Sequence, residues 1–342
     1  MRFLPTEEQR DFARSLDAML TAAGTPAAIR AWASGDSGPG RALWSRLAEA
    51  GVFALAIPDR YEGVGPLPVE LATAFVELGR HGVPGPVVET VAVSALLSEL
   101  ARRGEEGPAK RLLPAMAAGE STATLSLPTP PAGVGGTQAP GHDVRAVDAD
   151  RADLVLVVRG DHLHIAPGHR DVHVSQDPAR RLARPAPGGE LLAAGRAVTA
   201  AAAHAHDWAV LATAAQALGV GLTLLDRTVA YAKQRTQFGT SIGSFQAVKH
   251  RLADTLLALE FARPLLFGAA LTFESTDLAA AKVTAGEAAY AAARTALQIH
   301  GAIGYTEELD LSLWLRKARP LRDAWGTPSW CRARVIEAYD GS

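Results

Sequence analysis

Apolar residues recur at helical spacing through the first third of the chain. In TEEQRDFARSLDAML, Phe12, Leu16 and Leu20 fall four residues apart on one face, and Thr6 stands before Glu7 and Glu8 as an N-terminal cap. RALWSRLAEAG repeats the pattern with Gly51 as its stop, and PVELATAFVELGRHG and VETVAVSALLSELARRG continue it. The pattern breaks at LSLPTPPAGVGGTQAPGHD, where proline and glycine oppose helix. Short β-type runs surround that break: ATLSL before it, then DLVLVV, DHLHIA and DVHVS. They predict a small sheet over residues 119–196. From Ala200 onward helical spacing returns, in long runs at 205–234, 244–271 and 275–301 and shorter ones near 307–318 and 328–339. The expected fold class is mainly α with a small β domain: an N-terminal helical domain (1–118), a β domain (119–199) and a C-terminal helical bundle (200–342). No solenoid-period repeat is present.

Composition narrows this further. With 342 residues, 48% of them hydrophobic, the chain can bury a large core. Lys plus Arg number 34 against 36 Asp plus Glu, and a net charge of -2 gives no broad electrostatic reason to bind nucleic acid or an anionic membrane. The single cysteine, Cys331, excludes an intramolecular disulfide and suits a reducing compartment. MRFLPTEEQRDF lacks the basic and apolar regions of a signal peptide, so a cytoplasmic location is expected. WAVLATAAQALGVGLTLL, Trp208 to Leu225, carries no charge and nears the length of a membrane span, but its Ala and Gly content and its Thr213, Gln216 and Thr223 predict a tightly packed buried helix.

Two stretches carry candidate chemistry. In RTQFGTSIGSFQAVKHRLAD (235–254), Gly239 and Gly243 break a helix, Ser244 can cap the next, and Arg235 and Lys249 place cations beside the turn. In QIHGAIGYTEE (298–308) a helix ends at Gly301 and Gly304, with Thr306 able to cap the next helix. In this order and at this separation, the two resemble the acyl-CoA dehydrogenase family, whose C-terminal bundle carries an R-x-x-F-G loop followed by F-Q and later a Q-x-x-G-G-x-G turn. The resemblance extends to TEEQ near the start, LWSRLAEAGVFALAIPDRYEGVG at 43–65 and LLPAMAAGESTATLSL at 112–127. It implies that family's fold, and FAD as cofactor. It also implies that Arg235, Gln237, Phe238 and Gln246, with Gln298, Gly301 and Ala302, hold the pyrophosphate and adenine of an FAD lying mainly in a neighbouring subunit. An arginine can pair with phosphate oxygens and glycines let backbone N–H groups approach. Ala302 replaces the family's second glycine, and its methyl narrows that approach.

The family's other half-site is degraded. The T-E-P-x-x-G-S-D stretch is replaced by LSLPTPPAGVGGTQAPGHD, and no tryptophan occurs between Trp44 and Trp208, so the ring-contacting Trp of the β domain is missing. That makes the β domain a reduced one. The catalytic Glu of the family's Y-E-G-T run is missing too: in WLRKARPLRDAWGT its position holds Trp325, and an indole N–H only donates. The alternative base position on the first bundle helix falls at or beside Ala209; Asp207 lies about 200° around that helix. Asp323 is a weak substitute, more simply a surface or capping charge beside Arg322.

The other candidates are plainer. His162, His164, His169 and His173 lack the Cys pair or spaced carboxylates of a zinc site, so no metal is expected. GVGG at 133–136 reads as a linker, and His204 and His206, near a helix start, as solvated or capping groups. The resemblance therefore points to the short, non-catalytic subunit of an α2β2 acyl-CoA dehydrogenase of the actinobacterial type. Such a subunit donates FAD-binding residues to a catalytic partner, which carries most of the acyl-CoA site, a bulky or steroid side chain being one candidate substrate. Electron-transfer flavoprotein is the expected electron acceptor. Two alternatives stand beside it: a homomeric flavoenzyme with an unconventional base such as Asp323, and a flavin-free scaffold with a ligand-binding or non-redox role.

Overall fold

Thr6 closes the first helix as its spacing predicts. Its hydroxyl accepts from the Gln9 N–H at 3.2 Å while Gln9 Oε1 accepts from the Thr6 N–H at 2.9 Å, a reciprocal capping box. In the computed structural model, which describes residues 5–128 and 145–340, the chain begins with α1 (Glu7–Ala22), α2 (Thr25–Ser34), α3 (Gly38–Glu49), α4 (Pro68–Arg80), α5 (Val87–Arg102) and α6 (Glu106–Ala117). Leu16 and Leu20 of α1 are fully buried, as their spacing requires. Gly51 ends α3 in a left-handed conformation at φ +76°.

Strands come next: β1 (Ala123–Ser126), β2 (Ala146–Val147), β3 (Leu154–Arg159), β4 (His162–Ile165), β5 (His169–Val174), β6 (Arg181–Pro185) and β7 (Glu190–Ala194). The expected single small sheet is two. One has the order β1-β3-β4-β7, with β1 and β3 parallel, and the other the order β2-β6-β5. Their inner faces share a core of Ala146, Ala149, Val155, Val157, Ala166 and Ala183. Val155 and Val157 stand two apart and so point to one side of β3.

The chain closes with α7 (Arg196–Gln234), the short strands β8 (Thr236–Gln237) and β9 (Thr240–Ser241), then α8 (Gln246–Thr272), α9 (Ser275–His300), α10 (Leu311–Asp323) and α11 (Pro328–Asp340). Among the described residues, one compact unit takes in the chain up to Pro26, Ala72–Val83 and everything from Thr213; the other takes in Ala27–Leu71 and Pro84–Ala212.

In the first unit, α4 and α7 cross at backbone distance. A Cβ on Gly79 would lie 2.1 Å from the Gln216 carbonyl oxygen, and one on Gly219 would lie 2.0 Å from that of Val76, so both positions require glycine. This is the close packing that the Ala and Gly content of Trp208–Leu225 anticipated. Among the described residues two helices, α7 and α8, are long and apolar enough to cross a membrane. The most apolar window of α7 is 94% buried within the protein, which makes it a core helix, whereas that of α8 is only 33% buried.

In the second unit, Thr90 on α5 ties that helix to the sheet: its hydroxyl donates to Ala123 O at 2.7 Å and accepts from Ala123 N at 3.2 Å.

Candidate functional site

The stretch after α7 folds as a hairpin rather than an open loop. Strands β8 and β9 pair Thr236 with Ser241 and Gln237 with Thr240, and the two residues between them, Phe238 and Gly239, both have positive φ, +54° and +79°. That is the conformation of a two-residue type I′ turn, which matches the strand twist. It drives the Phe238 ring outward, where it is 94% exposed and meets Phe245 edge to face at 6.3 Å. The hairpin is anchored by Arg235 N–H to Tyr231 O (2.8 Å), Ile242 N–H to Arg235 O (2.8 Å) and Ser241 Oγ to Ala232 O (2.7 Å). Ser244 does not cap α8: its hydroxyl donates to Ser241 O at 2.6 Å and finishes a short 3-10 turn, while Phe245 occupies the cap position.

The second stretch forms where α9 ends. Gly301 sits at φ +62° with its N–H on Leu297 O, and residues 301–305 wind into a 3-10 turn. Thr306 closes this turn, donating to Ile303 O at 2.9 Å, and does not cap α10, which starts at Leu311.

The two stretches are neighbours. Tyr231, one helical turn before Arg235, stacks on His300, directly before Gly301, with ring centroids 4.1 Å apart. Arg235, Gln237, Phe238, Gln246, Gln298, Gly301 and Ala302 are all exposed. The Arg235 guanidinium and the Gln298 amide make no hydrogen bond or ion pair among the described residues. A Cβ built on Gly301 would meet nothing within 4 Å. An unspent guanidinium, free amides and open backbone beside one another fit an incoming phosphate-bearing group. Gln237 is partly spent, its amide donating to Thr236 O at 2.8 Å.

The Trp325 turn is built the opposite way. Trp325 itself has φ +53° and Gly326 has φ +136°. Beneath them Lys282 of α9, 1% exposed, donates from Nζ to Arg322 O at 2.8 Å and to Gly326 O at 3.1 Å, bracing both ends of the turn. Buried Cys331 also reaches Gly326 O, at 3.7 Å, and burial pushes its thiol pKa up. The turn has no carboxylate at its apex. Asp323, two residues before Trp325, is held by Arg322 in a two-pronged pair (Nε–Oδ1 2.8 Å, Nη2–Oδ2 3.2 Å), and Arg322 stacks on Tyr290 at 4.5 Å. Ala209 is buried on α7 and Asp207 is half-buried.

The remaining histidines are varied. His162 and His164 share a strand face with rings 6.1 Å apart, and burial lowers the pKa of His164. His169 and His173 are exposed on β5. His204 and His206 lie inside α7 rather than at its start. His204 accepts from Trp208 Nε1 at 3.1 Å and has its pKa lowered by burial, and His206 is buried, so neither is a solvated cap. The GVGG run, residues 133–136, and most of the proline-rich break lie outside the described residues.

Lys282 and the Tyr231–His300 stack had no sequence signal that separated them from ordinary helix positions. A lysine in an Ala-rich helix reads as a solvated charge until its burial is seen.

A helical N-terminal region, two small sheets and a C-terminal bundle of long helices make an acyl-CoA dehydrogenase fold. The family model "Acyl-CoA dehydrogenase, N-terminal domain" matches residues 6–120 and "Acyl-CoA dehydrogenase, C-terminal domain" matches residues 192–339. The chain is 32% identical over 326 residues to acyl-CoA dehydrogenase IpdE2 of Mycobacterium tuberculosis, covering 92% of each protein. Butyryl-CoA dehydrogenase from Megasphaera elsdenii has the same fold, with a TM-score of 0.82 at 24% identity over 99% of this chain and 100% of that one. A variant of the Tcur3481-Tcur3483 steroid ACAD superposes with a TM-score of 0.81 at 25% identity, over 98% of this chain and 99% of that one. The chain belongs to the acyl-CoA dehydrogenase family.

Proposed function

We propose that this chain is the non-catalytic subunit of a flavin-dependent acyl-CoA dehydrogenase, which lends cofactor-holding residues to a catalytic partner of the same family. The observation that carries the reading is Trp325. The position where the family's base would stand holds an indole, whose nitrogen lone pair belongs to the aromatic ring and takes no proton, and the carboxylate nearest in sequence, Asp323, is spent on Arg322.

FAD, when bound in such an assembly, supplies the acceptor for the hydride removed from the acyl chain. This chain's part is to bind and orient. Arg235 would pair with the pyrophosphate, Gln246 and Gln298 would bond the adenine end, and the open backbone at Gly301 and Ala302 would admit a close approach. The exposed face of α8 supports a partner on the bundle: Leu257, Phe261 and Leu265 stand one turn apart in solvent, with Phe261 69% exposed. The likeness to a two-component steroid ACAD supports a bulky acyl-CoA thioester as substrate and a family member with an intact β domain and a Glu as partner. Electron-transfer flavoprotein would then take the electrons from the assembly.

The test is turnover with an artificial electron acceptor. The chain alone is expected to oxidise no acyl-CoA, and the chain with such a partner is expected to do so. Turnover by the isolated chain would sink the proposal and send the search for a base back to Asp323.

A further inference from the structure

Away from the cofactor-facing turns, three side chains that sequence separates by sixty residues converge in the bundle unit. Asp17 comes from α1, Glu77 from the last turn of α4, and His81 from the residue after that helix. Their ligating atoms all lie within 4.8 Å of one another, with His81 Nε2 2.8 Å from Asp17 Oδ1. Glu77 and His81 are one turn apart on the same side, since His81 N–H still bonds Glu77 O at 3.0 Å. Their side chains are only 14% and 16% exposed.

Glu77 has an unmet need. Its carboxylate accepts no hydrogen bond among the described residues, and the nearest cation, Arg80 Nε, stands 3.7 Å away. Arg80 is drawn off instead to Asp226, with Nη2–Oδ2 at 3.0 Å. A mostly buried carboxylate in that state takes up a proton or a cation, and burial raises its pKa to about 7. The cluster also sits at the C-terminal end of α4, where the helix dipole favours positive charge. Asp17 and His81 line a cavity of about 330 Å³, bounded further by Thr21, Asp226 and Arg227, which gives an ion access and room for water ligands.

We propose that Asp17, Glu77 and His81 bind a divalent transition-metal ion of the zinc class. One imidazole nitrogen and two carboxylate oxygens within 4.8 Å of one another suit such an ion, whose bonds to these ligand types run about 2.0–2.2 Å. The ion replaces the proton on His81 Nε2, that proton leaves to solvent, and the imidazole keeps its other proton on Nδ1. Water from the cavity fills the remaining positions. The ion then clips α1 to α4, a link that neither the family match nor the cofactor-facing turns supply.

The experiment uses the full chain, stripped with a chelator and titrated with Zn²⁺ by calorimetry, and with Co²⁺ by visible absorption. One ion per chain is expected, with Co²⁺ bands showing nitrogen and oxygen coordination. Zn²⁺ at about 100 times its Kd should stabilise the chain against heat by about 2.7 kcal/mol. Asp17→Asn alters a half-exposed side chain and Glu77→Gln keeps the shape; each should weaken binding at least about tenfold, or about 1.4 kcal/mol. Circular dichroism of both variants confirms that they fold. Undiminished Zn²⁺ binding in the two folded variants would place the ion on other histidines and overturn the proposal, as would no binding at millimolar Zn²⁺ or a preference for Mg²⁺.

Discussion

The turns at 235–246 and 298–305 and the turn at 322–327 belong to the same bundle unit, yet they are constructed for opposite ends. In the first pair the backbone is anchored and two long polar side chains are left outside unspent: the Arg235 guanidinium and the Gln298 amide bond nothing among the described residues, and Tyr305 is 75% exposed. In the other the side chains below the backbone are spent on holding it, with Lys282 and Cys331 turned onto its carbonyls. A surface that keeps donors unspent has the capacity to bond a partner or ligand. A turn that keeps its brace but holds Trp325 at the apex has retained its shape without a proton acceptor.

The sharpest way to break this contrast is to remove Arg235. Arg235→Ala, in an assembly with a catalytic partner, should empty the shared cofactor site by well over about tenfold in affinity, since a buried charge-assisted phosphate pair exceeds about 1.4 kcal/mol; full flavin retention on gel filtration would contradict the role given to it.

Thiol labelling compares the two regions directly. Cys331, fully buried and with its pKa pushed up, should react about 100-fold more slowly than a thiol placed at the exposed turn by Gln298→Cys, as for a difference of about 3 kcal/mol in opening free energy. Because the Cys331 thiol is held above its ordinary range, its thiolate fraction at mildly alkaline pH is below that of the introduced thiol, which widens the gap. Equal rates would mean that the Trp325 turn is open.

Smaller effects probe the brace. Gly326→Ala puts a methyl 3.0 Å from the Trp330 ring at φ +136°, at a cost of about 1–3 kcal/mol in urea unfolding. Lys282→Met removes the donor to Arg322 O and leaves Gly326 O only the weak Cys331 thiol, and should cost about 1–3 kcal/mol by the same measurement, a neutral result showing that the brace is dispensable. The smallest effect is expected of Asp323→Asn: turnover in the assembly should stay within about twofold, against the ~10²–10⁴-fold loss that removing a general base brings.

The sequence exposed the helices well because each long run carries its own 3.6-residue signal, and α7, α8 and α9 lie close to where that spacing put them. The strands were harder. β6, RLARP, and β7, ELLAA, carry charge, proline and alanine in place of β-branched residues, and only pairing with β2, β5 and β4 makes them strands. The β8–β9 hairpin was hidden because its turn uses Phe-Gly where Asn-Gly is the usual signal. Ser244 and Thr306 misled as caps because a hydroxyl near a turn serves a 3-10 carbonyl as readily as a helix N–H. The candidate cofactor residues were legible only as a family pattern. That Tyr231 and His300 bring the two turns together, and that Asp17 meets Glu77 and His81, is decided by tertiary packing that no local spacing records.

The most direct test of the central claim is a count of flavin against native mass. The chain is purified alone and then co-expressed with a family member bearing an intact β domain and a catalytic Glu, and each sample is measured by visible absorption and native mass spectrometry. A colourless isolated chain and one flavin per heterodimer in the mixed assembly is the expected result. A chain that is stoichiometrically yellow by itself would contradict it.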